Sequence, residues 1–152
     1  MVVPLNRTPS PYMQDEDWAK VKHFTPKEPW GNWRKVQKKL IFGVDALREF
    51  AGKKFVIHNA YDQSGHSDGS YHYEGKALDG HFEGMHILDQ FIVAMRFDQF
   101  NGIGVYLDWD HPGLHLDIRP ISARLMSNSL WLRKNGKYIA LTWENLKEAL
   151  KS

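Results

Sequence analysis

The 152-residue sequence contains no cysteine. Disulfide bonds and thiolate-rich structural zinc sites are therefore excluded, because both require cysteine sulfur. No block of five or more like charges occurs either, and the 20 basic and 18 acidic residues leave a formal net charge of +2. Nucleic-acid binding therefore has little support, since proteins of that class carry clustered basic residues.

Long hydrophobic runs are missing as well. No stretch of about 18 apolar residues is present, so the sequence predicts no membrane span. Residues 1–20 contain Pro4, Arg7, Pro9 and Pro11 and lack the apolar segment that forms the centre of a secretory signal. We therefore expect the chain to be cytoplasmic as synthesised.

What the sequence does contain is enough apolar material for a core. Hydrophobic residues make up 42% of the chain and aromatic residues 13%, which predicts one domain over residues 1–152. The Pro-rich residues 1–15 are predicted to form an extended or poorly ordered arm. Residues 129–152 are predicted to form a hairpin and a terminal helix.

Two segments show the spacing of amphipathic helices. Four apolar residues recur at helical intervals within residues 32–50: Val36, Leu40, Val44 and Leu47. They predict a helix that ends near Gly52, because glycine commonly terminates helices. A second apolar face predicts a helix within residues 85–100.

Short β-rich runs at residues 54–58, 102–108 and 114–118 predict strands, the last two as an antiparallel pair. Asn135-Gly136 between two apolar runs predicts a two-residue hairpin turn. Thr142 is expected to cap a final helix through Leu150. The predicted class is α+β, with a central antiparallel sheet flanked by helices.

The residues that carry chemistry are concentrated in two motifs. Residues 70–79 read Ser-x-His-x-x-Gly-x-Ala-x-Asp, and residues 115–117 read His-x-Asp. Together the motifs supply two imidazoles and two carboxylates, and two imidazoles with one carboxylate are the ligand set of an open catalytic zinc site. Zinc in such a site activates water and polarises a carbonyl, so amide hydrolysis is the expected reaction.

This pattern resembles the zinc D-Ala-D-Ala carboxypeptidase family, which also contains peptidoglycan endopeptidases and shares its fold with the Hedgehog signalling domain. All five fixed positions of the first motif and both of the second are present. The resemblance covers roughly residues 24–120. It implies a similar fold and Zn²⁺ bound by His72, Asp79 and His115, with Gly75 able to adopt positive φ between the first two.

On a strand, His115, Asp117 and Arg119 point to one face because side chains alternate. Asp117 is therefore placed to accept the second ring N–H of a ligand histidine. A surface ion pair between Asp117 and Arg119 is the alternative.

Two departures from the family pattern concern catalysis. Related enzymes commonly have a carboxylate three residues before the final histidine, where this chain has Pro112. Asp110 is the predicted general base instead, although it could equally be a turn former. Relatives also carry an upstream arginine that steadies the substrate carbonyl, and this chain has residues 58–62, His-Asn-Ala-Tyr-Asp, there. Support for the transition state is expected from Tyr61, His58 or Arg119.

The resemblance implies a zinc peptidase that cleaves peptidoglycan peptides, with Asp110, Asp117 and Arg119 as catalytic residues. A phage or prophage lysin, or a virion-associated hydrolase released to the periplasm or cell wall, is the expected setting. A zinc-bearing binding or structural module without catalysis is the alternative. The remaining histidines of this region are predicted to be surface and loop residues, not a second metal site: His58, His66, His81, His86 and His111.

Overall fold

The computed structural model describes residues 9–124, 126 and 128–151. Within them, three α-helices are present: α1 (Lys38–Ala51), α2 (Ile87–Met95) and α3 (Trp143–Ala149). The strands are β1 (Phe55–Asn59), β2 (Ala77–Phe82), β3 (Gly102–Tyr106), β4 (Gly113–Asp117), β5 (Leu130–Lys134) and β6 (Lys137–Ala140). This composition confirms the α+β class.

The six strands form one sheet in the order β1-β2-β4-β3-β5-β6. Four neighbouring pairs are antiparallel, as predicted, whereas β3 and β5 are parallel, so the predicted antiparallel sheet is confirmed except at that pair. The connection after β4 explains the difference. β4 ends opposite Gly102 at the start of β3, and β5 begins beside Ile103 at the same end. The chain therefore returns to the start of β3 before β5 begins, and β5 runs beside β3 in the same direction.

One face of the sheet forms the hydrophobic core. Because side chains alternate along a strand, residues of neighbouring strands that lie opposite one another share a face, as Leu78, Leu116 and Ile103 do. Their side chains are almost completely buried. They belong to one cluster with the apolar residues of α1, including Leu40 and Val44. The opposite face is left to carry polar side chains.

Helix α1 ends where the sequence predicted and begins later. Gly52 adopts a left-handed φ of 65° directly after Ala51. At the other end, residues 36 and 37 are extended, because the Met13 amide donates to the Val36 carbonyl at 2.9 Å and Tyr12 pairs with Gln37. This pairing delays the helix until Lys38.

The structure describes the second half of the predicted N-terminal arm. Residues 1–8 of the predicted arm lie outside the described residues. In the remainder, Met13 is fully buried in the core. The segment that follows Pro9 is therefore packed against the domain.

The C-terminal predictions are confirmed. Asn135 and Gly136 both have positive φ, 52° and 74°, in the tight turn between β5 and β6. The Thr142 side chain accepts from the Asn145 amide at 3.1 Å and caps α3. No helix among the described residues has the length and apolar character needed to cross a membrane.

Candidate metal centre

Strand pairing brings two of the three predicted ligands together. Asp79 on β2 lies directly opposite His115 on β4, although 36 residues separate them in the chain. Opposite residues of antiparallel strands have neighbouring side chains on one face. The carboxylate and the imidazole therefore meet on the polar face of the sheet.

Gly75 allows the third predicted ligand to approach them. His72 lies in a 3-10 turn, Tyr71–Glu74, which Gly75 ends with a φ of 68°. A Cβ atom at Gly75 would lie 1.8 Å from the Lys35 carbonyl oxygen. Glycine is therefore required both for the left-handed backbone and for the close approach of chain 35–36. The predicted positive φ is confirmed.

The donor atoms have the spacing of a metal site. His72 Nε2 is 3.4 Å and His115 Nδ1 is 3.1 Å from Asp79 Oδ1, and all three donor atoms lie within 4.8 Å of one another. Ligands at ~2.0–2.2 Å from a tetrahedral zinc are about 3.4 Å apart. We call His72, Asp79 and His115 the inner group, and its spacing and chemistry fit zinc.

Both imidazoles of the inner group are oriented through their second nitrogen. His72 Nδ1 lies 2.6 Å from the Ala60 carbonyl oxygen, to which it donates, and Nε2 is left facing Asp79. His115 Nε2 lies 2.8 Å from Asp117 Oδ2, which leaves Nδ1 towards Asp79. Acceptors in these positions select the tautomer that binds a metal.

Asp117 contacts both residues that the sequence offered as its partners. Its side chain is completely buried. It accepts hydrogen bonds from Arg119 Nε and Nη2 at 2.8 and 2.7 Å, and it also pairs with His115. The ion pair is thus buried, not a surface pair. The Arg119 guanidinium is in turn 4.9 Å from the Tyr71 ring centroid and 5.6 Å from that of Trp131, where aromatic faces favour a cation.

The electrostatics of the inner group favour a cation. Burial raises the pKa of Asp79, but the neighbouring His115 and His72 outweigh it and hold the pKa well below the usual range. Burial likewise opposes ionisation of Asp117, and Arg119 and His115 hold its pKa low. Burial lowers the pKa of His115, whereas Asp117 and Asp79 raise it, with a net result of about 9. A metal ion would replace the proton that these carboxylates hold on His115.

A cleft of about 700 Å³ opens over the inner group. Loop 65–70 lines one side, and Tyr106, Trp131 and Tyr138 line another. Trp131 can lie over β3 because Gly104 is opposite it, where a Cβ atom would be 2.4 Å from the indole. The volume suits a short peptide segment.

The predicted catalytic residues are divided between two places. Asp117 and Arg119 line the cleft beneath His115. Asp110 is exposed in the β3–β4 loop and is not among the described residues that line the cleft. His58 lies 2.7 Å from His81 and lines a separate depression with it.

The prediction of surface and loop residues was wrong for His58 and His81, which lie on β1 and β2. His66 lies in a loop, as predicted, but its side chain packs against a predicted ligand. Its ring stacks on His72 at 4.1 Å between centroids, and its Nε2 is 2.6 Å from Asp62 Oδ2. We call Asp62, His66 and His72 the outer group, whose donor atoms also lie within 4.8 Å of one another. The sequence contained a signal for this group: Asp62 lies four residues before His66, and His66 lies six residues before His72.

Tyr106 lines the cleft but belongs to neither sequence motif. Its side chain stacks on Trp109 at 4.2 Å between ring centroids, and its hydroxyl oxygen accepts from Trp131 Nε1 at 3.2 Å. The alternation of β3 points to this position, because Tyr106 is two residues beyond Gly104 and so shares its face.

No protein-family model matches this chain, and no curated protein matches it.

Proposed function

We propose that the protein is a zinc-dependent peptidase that hydrolyses amide bonds in peptidoglycan peptides. The supporting observation is the inner group, in which three donor atoms at metal-site spacing lie at the base of a peptide-sized cleft. Three protein ligands leave a coordination position for water or substrate, as in catalytic zinc sites. The motif resemblance supplies the substrate class.

His72 Nε2, Asp79 Oδ1 and His115 Nδ1 would hold the zinc ion. When bound, zinc supplies Lewis-acid polarisation of a substrate carbonyl and a water of lowered pKa. Asp117 and Arg119 act as positioning residues, because Asp117 holds the His115 ring and Arg119 in turn holds Asp117.

Tyr106 is suited to stabilise the scissile carbonyl oxygen as charge develops on it. Its oxygen accepts the Trp131 N–H, and its own hydroxyl hydrogen, which Tyr138 can accept, would turn to a substrate oxygen in the cleft. Burial raises the pKa of Tyr106 and keeps it protonated. A fixed donor of this kind would take the place of the arginine that enzymes of the similar family carry upstream of the first motif.

Two side chains are candidates to accept the proton of the attacking water. Asp110 is the candidate from sequence, and its loop would have to move because Asp110 is exposed outside the cleft lining. His66 is the candidate from geometry, since it lines the cleft and Asp62 orients its ring. Comparison of Asp110→Asn with His66→Gln distinguishes them, because only loss of the acceptor lowers turnover strongly while zinc remains bound.

Release of new amino termini from purified peptidoglycan tests the proposal. Zinc-loaded wild type should release them, and His115→Ala should not. His111→Ala is the matched control, because His111 is exposed outside the cleft lining, and it should retain activity. If zinc-loaded wild type releases nothing from walls with several cross-link types, the protein is instead a zinc-bearing binding module.

A further inference from the structure

The outer group of Asp62, His66 and His72 has the same donor set as the inner group, one carboxylate and two imidazoles. Mixed nitrogen and oxygen donors of this kind suit Zn²⁺ and neighbouring divalent transition metals. The two groups share only His72. A metal ion therefore has two neighbouring positions available within the described residues.

The outer ligands are held by contacts of their own. Asp62 Oδ2 accepts from Asn59 Nδ2 at 2.6 Å. The loop that carries His66 is anchored by Tyr73, whose hydroxyl accepts from the His66 amide at 2.8 Å and donates to the His66 carbonyl at 2.6 Å. These contacts bring the loop to the turn that carries His72, so the three donors are already near one another.

The two positions exclude each other at His72. Its Nδ1 donates to the Ala60 carbonyl, which leaves Nε2 as its one donor atom for a metal. A single lone pair binds one ion, so the inner and outer groups cannot both be completed at once. Wild-type protein should therefore bind one ion through His72.

The inner position is the better formed of the two. Its carboxylate–imidazole distances of 3.1 and 3.4 Å are already close to those around a tetrahedral ion. In the outer group, Asp62 and His66 are at hydrogen-bonding distance, 2.6 Å, and must separate before a metal can enter. Asp62 and His66 are also only partly buried, whereas His115 is buried.

We propose that Asp62, His66 and His72 form an alternative zinc site, which is occupied when the inner group is incomplete. The His66 ring, which now stacks on His72, then turns so that His72 binds the zinc ion together with Asp62 and His66, and the ion remains bound to the protein. Retention of zinc by a His115 variant would accordingly say nothing about the inner site.

Zinc titration of metal-free protein by calorimetry, against a competing chelator, tests the proposal. Wild type should bind one equivalent. His115→Ala should also bind one equivalent, about 10–100-fold more weakly, as expected when the supporting contacts of the ligands are poorer. His115→Ala/His66→Ala should lose this binding, whereas the matched double variant His115→Ala/His111→Ala should bind like His115→Ala.

Asp79→Asn provides a second route if His115→Ala does not fold, as judged by circular dichroism. It should likewise retain one weak equivalent that the additional change His66→Ala removes. Absence of zinc binding by folded His115→Ala or Asp79→Asn would overturn the proposal, as would equal binding with and without His66. If wild type bound two equivalents of zinc tightly, the inference that both groups share one His72 nitrogen would be wrong. The titration requires no catalytic activity, so its result is independent of the peptidase proposal.

Discussion

Asp117 connects the candidate metal centre to the rest of the protein. It is completely buried, yet it accepts from His115 and from two nitrogens of Arg119. A buried carboxylate without such donors would be strongly destabilising, because burial disfavours its charge. The chain therefore depends on Arg119 to keep Asp117 ionised beneath the ligand histidine.

At the residue scale, Tyr106→Phe should lower kcat on a defined peptidoglycan peptide by about 10²-fold, the usual cost of one lost donor to a developing oxyanion. KM and zinc content should change little, since the ring keeps its stacking on Trp109. Steady-state kinetics with metal analysis measure both. Tyr138→Phe is the matched control, because Tyr138 also lines the cleft but is 63% exposed. Equal losses in the two variants would contradict the role of Tyr106.

The raised pKa of His115 predicts that the stability of the metal-free protein depends on pH. Its pKa in the folded state, about 9, is above the ordinary value of 6.5. The protonated ring therefore stabilises the fold fully below pH 6.5, and this contribution is lost as pH rises towards 9. The free energy of unfolding should fall across this interval by up to ~3 kcal/mol.

Urea denaturation at a series of pH values measures that slope. His115→Gln should abolish the fall between pH 6.5 and 9, and the control His111→Gln should retain it. Saturating zinc should remove it too, because the metal displaces the proton. A metal-free wild type of constant stability over this range would refute the assignment.

At the scale of elements, the 3-10 turn before β2 decides whether His72 reaches Asp79. Gly75 ends that turn with positive φ and lies against the Lys35 carbonyl. Backbone segments of two distant parts of the chain thus meet at a position without a side chain. The Gln37 amide donates to the Gly75 carbonyl at 2.9 Å and completes the junction.

Gly75→Ala should lower the free energy of unfolding by more than ~2 kcal/mol and weaken zinc binding. The left-handed backbone alone costs an alanine roughly 1–2 kcal/mol, and displacement of the Lys35 carbonyl adds to that. Gly84→Ala is the matched control, since Gly84 has a φ of 66° but nothing within 4 Å of its Cβ position. Gly84→Ala should lose only the roughly 1–2 kcal/mol that the left-handed backbone costs, and its zinc affinity should be unchanged.

Urea denaturation and zinc titration of both variants provide the comparison. If Gly75→Ala and Gly84→Ala lose the same stability and both bind zinc normally, the close approach at Gly75 does not position His72.

At the scale of the whole molecule, the sheet separates stability from chemistry. One face packs against α1 and α2 in the core, and the other carries the inner group and the cleft. Zinc would join the turn Tyr71–Glu74, β2 and β4 through its three ligands. The metal should therefore stabilise the entire domain.

Zinc at about 100 times its dissociation constant should stabilise the fold by ~2.7 kcal/mol and raise Tm by roughly 5–10 °C. Thermal unfolding with and without zinc measures the shift. His111→Ala should show the same increase, and His115→Ala/His66→Ala should show none. An unchanged Tm in wild type would mean that neither group binds zinc in the folded state.

Much of the local structure could be predicted from the sequence. Apolar spacing predicted α1 and its end at Gly52, and Asn135-Gly136 predicted the hairpin turn. The motif residues also identified a possible metal-ligand set, because ligand chemistry is a property of residue type.

Only the tertiary structure decided which of these pieces meet. The parallel pairing of β3 with β5, the stacking of His66 on His72 and the location of Asp110 outside the cleft lining depend on contacts between distant segments. Helix ends, tight turns and ligand types are determined within a few residues, where backbone sterics and side-chain chemistry act directly. Strand neighbours and loop positions are determined by the packing of the whole chain, which short-range spacing does not specify.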